Sequence, residues 1–336
     1  MRPQRPWLRI GIRMAGSITV DPAVPSAFAG LIARLIVGGG SYIKRLLQTT
    51  IILLAMALPA MAQDRPLSLT LDKIRTSGKI TLGVRASALP FSYRLPNSTS
   101  AGYAVELCQE IVHDIETELG GRPIEITYRT VTADNRIGLV IAGDVDIECG
   151  ATTRNLQRQK VVAFSPVFFV AGTKLLVSRQ SPVRSFRDLS GKKVVVTSGT
   201  TNETAMHALV DQLLLRIVIV TAPENAQSLA MVQNGSADAF ASDDVLLAGL
   251  AATREGQDYH VVGDFLSYEP YGLMYRKDDP AFGALIARSF KRMAASRRLS
   301  DLYTRWLTER LPTGERLNIP MSAELSEIFR VLGQPD

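Results

Sequence analysis

Past residue 70, short β-rich runs alternate with stretches whose apolar residues recur at helical spacing. Lys79-Ile80-Thr81-Leu82-Gly83-Val84 reads as a strand. Residues 103–119 place Val105, Cys108, Ile111, Val112, Ile115 and Leu119 on one helical face, and Gly120-Gly121 ends that helix. Residues 124–128 form the next strand, 135–142 a short helix and 146–149 another strand. The same order returns from Lys193, with strands at 194–197, 217–220 and 239–241 separated by helical patterns, the first of them reaching Leu215. This predicts an α/β protein with mainly parallel sheets flanked by helices, built twice. An internal echo supports the duplication: residues 139–146 and 231–238 share the pattern apolar-Val-x-x-Gly-x-x-Asp, a helix closed by glycine and leading into a strand.

Residues 168–178 are apolar and extended and run into a polar, proline-containing stretch at 180–188. Residues 271–275 are strand-like again, and helical patterns at 282–293 and 299–307 follow. Two extended segments bracketing the second unit predict an insertion. A first lobe would comprise 63–176 and 275–336, and a second lobe 177–274. Lobes joined by two strands can open and close about a hinge, with a ligand in the cleft beyond the strand ends.

Charge sharpens this picture. The chain of 336 residues carries a formal charge of +6, but residues 1–62 hold seven basic residues and one acid, Asp21. Residues 63–336 are formally neutral, so no broad nucleic-acid surface is expected on the body. Within the N-terminal segment, Lys44-Arg45 precedes an apolar run from Leu46 to Leu58 and a small-residue site, Ala60-Met61-Ala62. That is the pattern of a secretory signal peptide cleaved after Ala62, and the run is too short for the roughly 20 residues that span a bilayer. Residues 1–40 match no element, and an over-long start is expected there. An exported protein in the periplasm follows.

The two cysteines, Cys108 and Cys149, can pair in such a compartment or remain as two buried thiols; spacing does not decide. His113, His207 and His260 are isolated in sequence and suggest no metal, and no nucleophile elbow or phosphate-binding loop is present in 63–336. No cofactor is expected. Arg158 follows the Gly150–Thr153 turn by five residues and can offer a carboxylate a two-pronged guanidinium, or stand as a solvated arginine on a polar helix. Thr197-Ser198-Gly199-Thr200-Thr201 closes a strand and opens a helix, which suits an anion or ordinary capping by Thr200 or Thr201. Arg85 and Arg136 stand at element ends facing the same cleft. Asp243 and Asp244 end a strand, where one of them can cap the following helix.

Several stretches coincide with one family: Asn135-Arg136-Ile137, Glu148-Cys149-Gly150-Ala151-Thr152-Thr153, Arg158-Gln159-Lys160, Val196-Thr197-Ser198-Gly199-Thr200-Thr201 and Tyr275-Arg276-Lys277-Asp278-Asp279-Pro280. In this order they resemble periplasmic polar amino-acid-binding proteins, the solute receptors of ABC importers, and most closely the glutamate/aspartate branch. The resemblance spans about residues 70–330 and implies the type II periplasmic-binding-protein fold, a monomer, and a membrane permease as partner. It implies that Arg158 holds the α-carboxylate, that Thr153 supplies a hydroxyl, and that Thr197 and Thr200 grip the ligand from the second lobe. Arg85 and Arg136 would meet a side-chain carboxylate, and Asp243 the ammonium. Three arginines against one aspartate would leave the pocket at +2, so a neutral ligand would strand buried arginine charge at a cost of roughly 3–5 kcal/mol. Three positions depart from the branch: Ala133 and Ala151 replace serines, and Asn225 replaces histidine. The rival reading is a dehydratase of cyclohexadienyl type on the same fold, which needs a poised acid; Glu148 is the candidate. A ligand-sensing component of a membrane receptor would use the same pocket.

Overall fold

The computed structural model describes residues 68–335. The expected signal peptide and its cleavage point lie outside these residues. Among the described residues no helix is long and apolar enough to cross a membrane.

The described residues open with a helix, Leu69–Ser77, capped by the Ser68 hydroxyl. It continues through β1 (Lys79–Val84), the short β2 (Ser87–Ala88), β3 (Ser92–Arg94) and β4 (Ser100–Ala101), then β5 (Glu125–Thr130), β6 (Ile147–Glu148), β7 (Val162–Phe164) and β8 (Phe169–Ala171). The second part holds β9 (Thr173–Ser178), β10 (Lys193–Thr197), β11 (Val218–Ala222), β12 (Ala239–Asp243) and β13 (Tyr259–Val262). The chain then returns through β14 (Glu269–Tyr271) and β15 (Met274–Arg276). One five-stranded sheet has the order β5-β1-β6-β15-β7, and the other β11-β10-β12-β9-β13. The two orders are the same design, which the internal echo anticipates. Asp146 and Asp238, its last residues, play one role: Asp146 Oδ2 accepts from Thr81 N at 2.8 Å, and Asp238 Oδ2 from Lys193 N at 2.8 Å. Each aspartate thus ties the turn after a glycine-closed helix to the second strand of its sheet, β1 or β10.

Strand direction is mainly parallel, but both sheets are mixed. β15 pairs antiparallel with β6 and β7, and β9 antiparallel with β12 and β13. The reason is the route of the chain. β9 and β15 are the strands by which it arrives from the other lobe, and a strand arriving from the cleft side must run against strands whose C-terminal ends point at the cleft. The two extended segments foreseen at 168–178 and 271–275 are each broken in the same way. β8 and β14 pair with one another as a two-stranded hinge, Glu269 opposite Ala171 and Tyr271 opposite Phe169. β9 belongs wholly to the second sheet, so the expected division at 176/177 falls inside that strand.

Alternation along the strands builds the cores. Val194 and Val196 face one layer of the second sheet with Leu175 and Met206, while Val195 faces the other with Leu176 and Phe240. In the first sheet Ile80 and Leu82 pack on Leu107 and Ile111 of the helix Tyr103–Glu118. The opposite face carries Val131, Val140, Val145 and Met274. At the hinge, Phe91 lies edge-on to Phe169 and Tyr271, with ring centres 4.9 and 5.1 Å apart, so an aromatic cluster anchors the crossing strands. Cys108, on that helix, and Cys149, just after β6, are joined by a disulfide, the alternative the sequence left open.

The lobes meet closely. Gly199 has a left-handed backbone (φ +73°), and a Cβ there would come within 2.7 Å of the Asp134 Cα in the other lobe.

Candidate functional site

Both walls of the cleft are made from strand ends and helix starts. In the first lobe Arg85 follows β1 directly, and its N–H donates to Ser92 Oγ at 2.9 Å. Arg136 opens the helix Arg136–Ala142, launched by a reciprocal pair in which Thr132 N donates to Asn135 Oδ1 and Asn135 N to Thr132 Oγ1. Its Nη1 donates to Ala151 O at 3.3 Å, and its Nε has no partner. Arg158 is held by Thr153 O at 2.9 Å and by Gly199 O of the second lobe at 3.4 Å. The loop before it is pinned to the hinge, since Arg154 N donates to Pro270 O at 2.7 Å. All three arginines are buried, Arg136 at 2% exposure, so none is a solvated surface residue.

The second lobe supplies hydroxyls, amides and acids. Thr197, at the end of β10, donates to Asn225 Oδ1 at 2.8 Å. Thr200 caps the helix Thr201–Leu213, accepting from Glu203 N and donating to Thr197 O. Asn225 opens the helix Asn225–Gln233 and donates across the cleft to Ser87 O at 3.0 Å. Asp243 ends β12 and makes no capping bond with its side chain. It accepts instead from Asn202 Nδ2 at 2.8 Å and from the Tyr271 hydroxyl on the hinge.

These groups line a small polar cavity of about 10 Å³, room for roughly one water molecule. Of the residues singled out in the sequence, Arg85, Arg136, Ala151, Thr153, Thr200, Asn225 and Asp243 line it. Arg158 and Thr197 do not; Arg158 turns to backbone carbonyls and Thr197 stands behind Asn225. Sequence reasoning missed Thr201, Asn202, Ser242 and Leu246 in the lining. Thr201 closes the Thr197–Thr201 stretch already singled out, where it reads only as a possible cap, and Asn202 directly follows it. Ser242 precedes Asp243 in the fully buried strand β12.

Electrostatics correct the expected +2. Arg85, Arg136 and Arg158 are accompanied by Glu148, Glu224, Asp243 and Glu269, all but Glu224 deeply buried. Burial and the neighbouring Arg158 push Arg136 down to about 9, Glu148 opposing and Arg85 adding to the shift. Burial likewise pushes Arg158 down, against the pull of Glu269, Glu148 and Asp243. Asp243 is pushed up to about 7, first by burial and then by Glu269, although Tyr271 and Asn202 bond to it. Arg85 is ion-paired to Glu224 across the cleft at 2.8 Å, so the penalty foreseen for stranding it does not apply. Arg136 makes no such pair among the described residues. Glu148, the acid a dehydratase would require, accepts from Thr152 Oγ1 at 2.6 Å and does not line the cavity. No cluster of metal-ligating side chains occurs among the described residues.

Two hinged lobes around a small, polar cavity, with a buried cation that makes no ion pair among the described residues, define a bilobed receptor for a small charged solute. The chain belongs to the bacterial extracellular solute-binding proteins, family 3, whose profile matches residues 80–309. It is 38% identical over 287 residues to the L-glutamate/L-aspartate-binding protein of Pseudomonas aeruginosa, covering 84% of this chain and 94% of the relative. It is 35% identical over 263 residues to the glutamate/aspartate import solute-binding protein of Escherichia coli, covering 78% and 87%. Among solved structures, a mutant of ArgBP from T. maritima superposes with a TM-score of 0.64 at 27% identity, over 71% of this chain and 99% of that one. The ancestral amino acid-binding protein AncCDT-1, a precursor of cyclohexadienyl dehydratase, superposes with a TM-score of 0.61 at 30% identity, over 70% and 99%. The fold is that of type II periplasmic binding proteins, and the curated relatives are binding proteins, not enzymes. This chain is the solute-binding component of an amino-acid ABC importer.

Proposed function

We propose that this protein binds glutamate or aspartate between its lobes and hands it to the membrane permease of its importer. The observation that carries the reading is Arg136: a guanidinium at 2% exposure in the cavity wall, with one carbonyl contact and no ion pair among the described residues, Glu148 acting on it only without direct contact. A buried cation left in that state requires an anion. The ligand's side-chain carboxylate fills that need, its ammonium faces Asp243, and Thr153, Thr200 and Asn225 supply polar contacts. Arg158 takes the α-carboxylate by turning from Thr153 O and Gly199 O toward the cavity. The two glutamate/aspartate-binding relatives support the choice of ligand. We propose further that the protein is exported with cleavage after Ala62, acts as a monomer in the periplasm, and divides into a lobe formed by the two chain ends and an inserted second lobe.

Titration calorimetry of the exported protein against the twenty amino acids tests this. Acidic amino acids are expected to bind most tightly, with glutamine and asparagine weaker. Heat from another class alone, with none from glutamate or aspartate, would overturn the assignment.

A further inference from the structure

Arg85 and Arg136 rise from the same lobe into the same cavity, yet among the described residues only Arg85 is ion-paired with a carboxylate. Arg85 Nη2 donates to Glu224 Oε2 at 2.8 Å, and Ser87 Oγ donates to the same oxygen at 3.0 Å. Glu224 comes from the opposite lobe and is 14% exposed, against 4% for Arg85. It occupies the N-cap position of the helix Asn225–Gln233, where an acid ordinarily bonds the free N–H groups of the first turn. Here it makes no capping bond. Its side chain is spent across the cleft instead, beside the bond from Asn225 Nδ2 to Ser87 O.

We propose that Glu224 is a specificity-determining residue: it neutralises Arg85 from within the protein, so that the cavity presents Arg136 alone to the ligand's side chain. Glu224 acts through Arg85 and needs no contact with the ligand. Without it, two buried guanidiniums would face the ligand, and a neutral side chain would leave both without an anion. With it, a neutral side chain leaves only one uncompensated. Glu224 therefore sets how strongly a carboxylate is preferred over the amide of equal length, and it does so only when the lobes meet. The inference takes its ligand from the reading above.

The test compares Glu224→Gln and Glu224→Asp with the unaltered protein, titrating glutamate and glutamine by calorimetry. Removing the charge frees Arg85 for the ligand, so Glu224→Gln is expected to raise the glutamate-to-glutamine affinity ratio by about tenfold. Glu224→Asp, which keeps the charge, is expected to stay near the original ratio. An equal change for both ligands would make Glu224 a mere strut between lobes and overturn the proposal, as would a fall in the ratio. If the unaltered protein binds no acidic amino acid, the ligand assignment fails by itself, and a second measurement still judges Glu224. Inorganic sulfate, compared with chloride at equal ionic strength, should raise the melting temperature of Glu224→Gln more than that of the unaltered protein. An identical sulfate response in both would overturn the proposal.

Discussion

The two walls of the cleft are made from equivalent parts of a duplicated design, and they carry opposite chemistry. The first lobe contributes every arginine of the site, at the end of β1, at a helix start and after the Gly150–Thr153 turn. The second contributes threonine hydroxyls, two amides and the acids Asp243 and Glu224. Neither wall balances its own charge. Arg136 waits for an anion, and Asp243 is held partly protonated because burial disfavours its charge. A zwitterion with an added carboxylate satisfies both walls together, which ties ligand binding to closure. The lobes differ in covalent structure too: the Cys108–Cys149 disulfide lies entirely in the first, which holds the arginines.

Deleting the unpaired cation should break this contrast most severely. Arg136→Ala is expected to weaken glutamate and aspartate by about 100-fold while affecting glutamine far less, because truncating one member of a buried charged contact costs roughly 2–5 kcal/mol. Equal losses in calorimetry would remove Arg136 from the selective wall. Next comes the covalent difference. Replacing Cys108 and Cys149 by alanine should cost about 2–4 kcal/mol of stability. Hydrogen exchange should then rise in β1 and β6 and stay unchanged in β10 and β12; uniform loosening would show that the lobes unfold as one.

A third outcome concerns pH. Asp243 ionises near 7 in the folded chain instead of at its ordinary 3.8, so its contribution to ligand-free stability is complete below about 4 and is lost as pH rises through about 7. A ligand ammonium reverses this, so the melting-temperature gain on adding glutamate should grow from pH 5 to pH 8. Affinity should fall about tenfold per pH unit below about 7. Asp243→Asn should flatten the profile, and an unchanged slope in that variant would assign the titration elsewhere. The smallest effect is expected from Ala151→Ser, which restores a cavity hydroxyl worth roughly 0.5–1.5 kcal/mol. A severalfold gain for acidic ligands is the expected reading, and a loss would mean that the added oxygen crowds the slot.

Much of this arrangement was legible in the chain. Periodicity placed the strands around Ile80–Val84 and Val194–Thr197, because alternation along a strand is a local property. Element ends and motif order located Arg85, Arg136 and Asp243. The resemblance placed Arg158 and Thr197 against the ligand as well, whereas in this structure they stand just behind the lining. Glu224 was not legible. Pro223-Glu224-Asn225 before a helix reads as an ordinary cap, and nothing local announces a partner 139 residues away. Tyr271 was hidden for the same reason: in an apolar strand it reads as core, and only the hinge topology brings its hydroxyl to Asp243. The charge balance failed where long-range pairing decides it.

Gly199 carries a consequence for how such a receptor tolerates change. With the backbone of Asp134 only 2.7 Å from where a side chain would begin, a single added methyl group acts as a wedge. A Gly199→Ala chain would keep every group that touches the solute and yet stand permanently ajar, a jaw with sound teeth and a pebble in the joint.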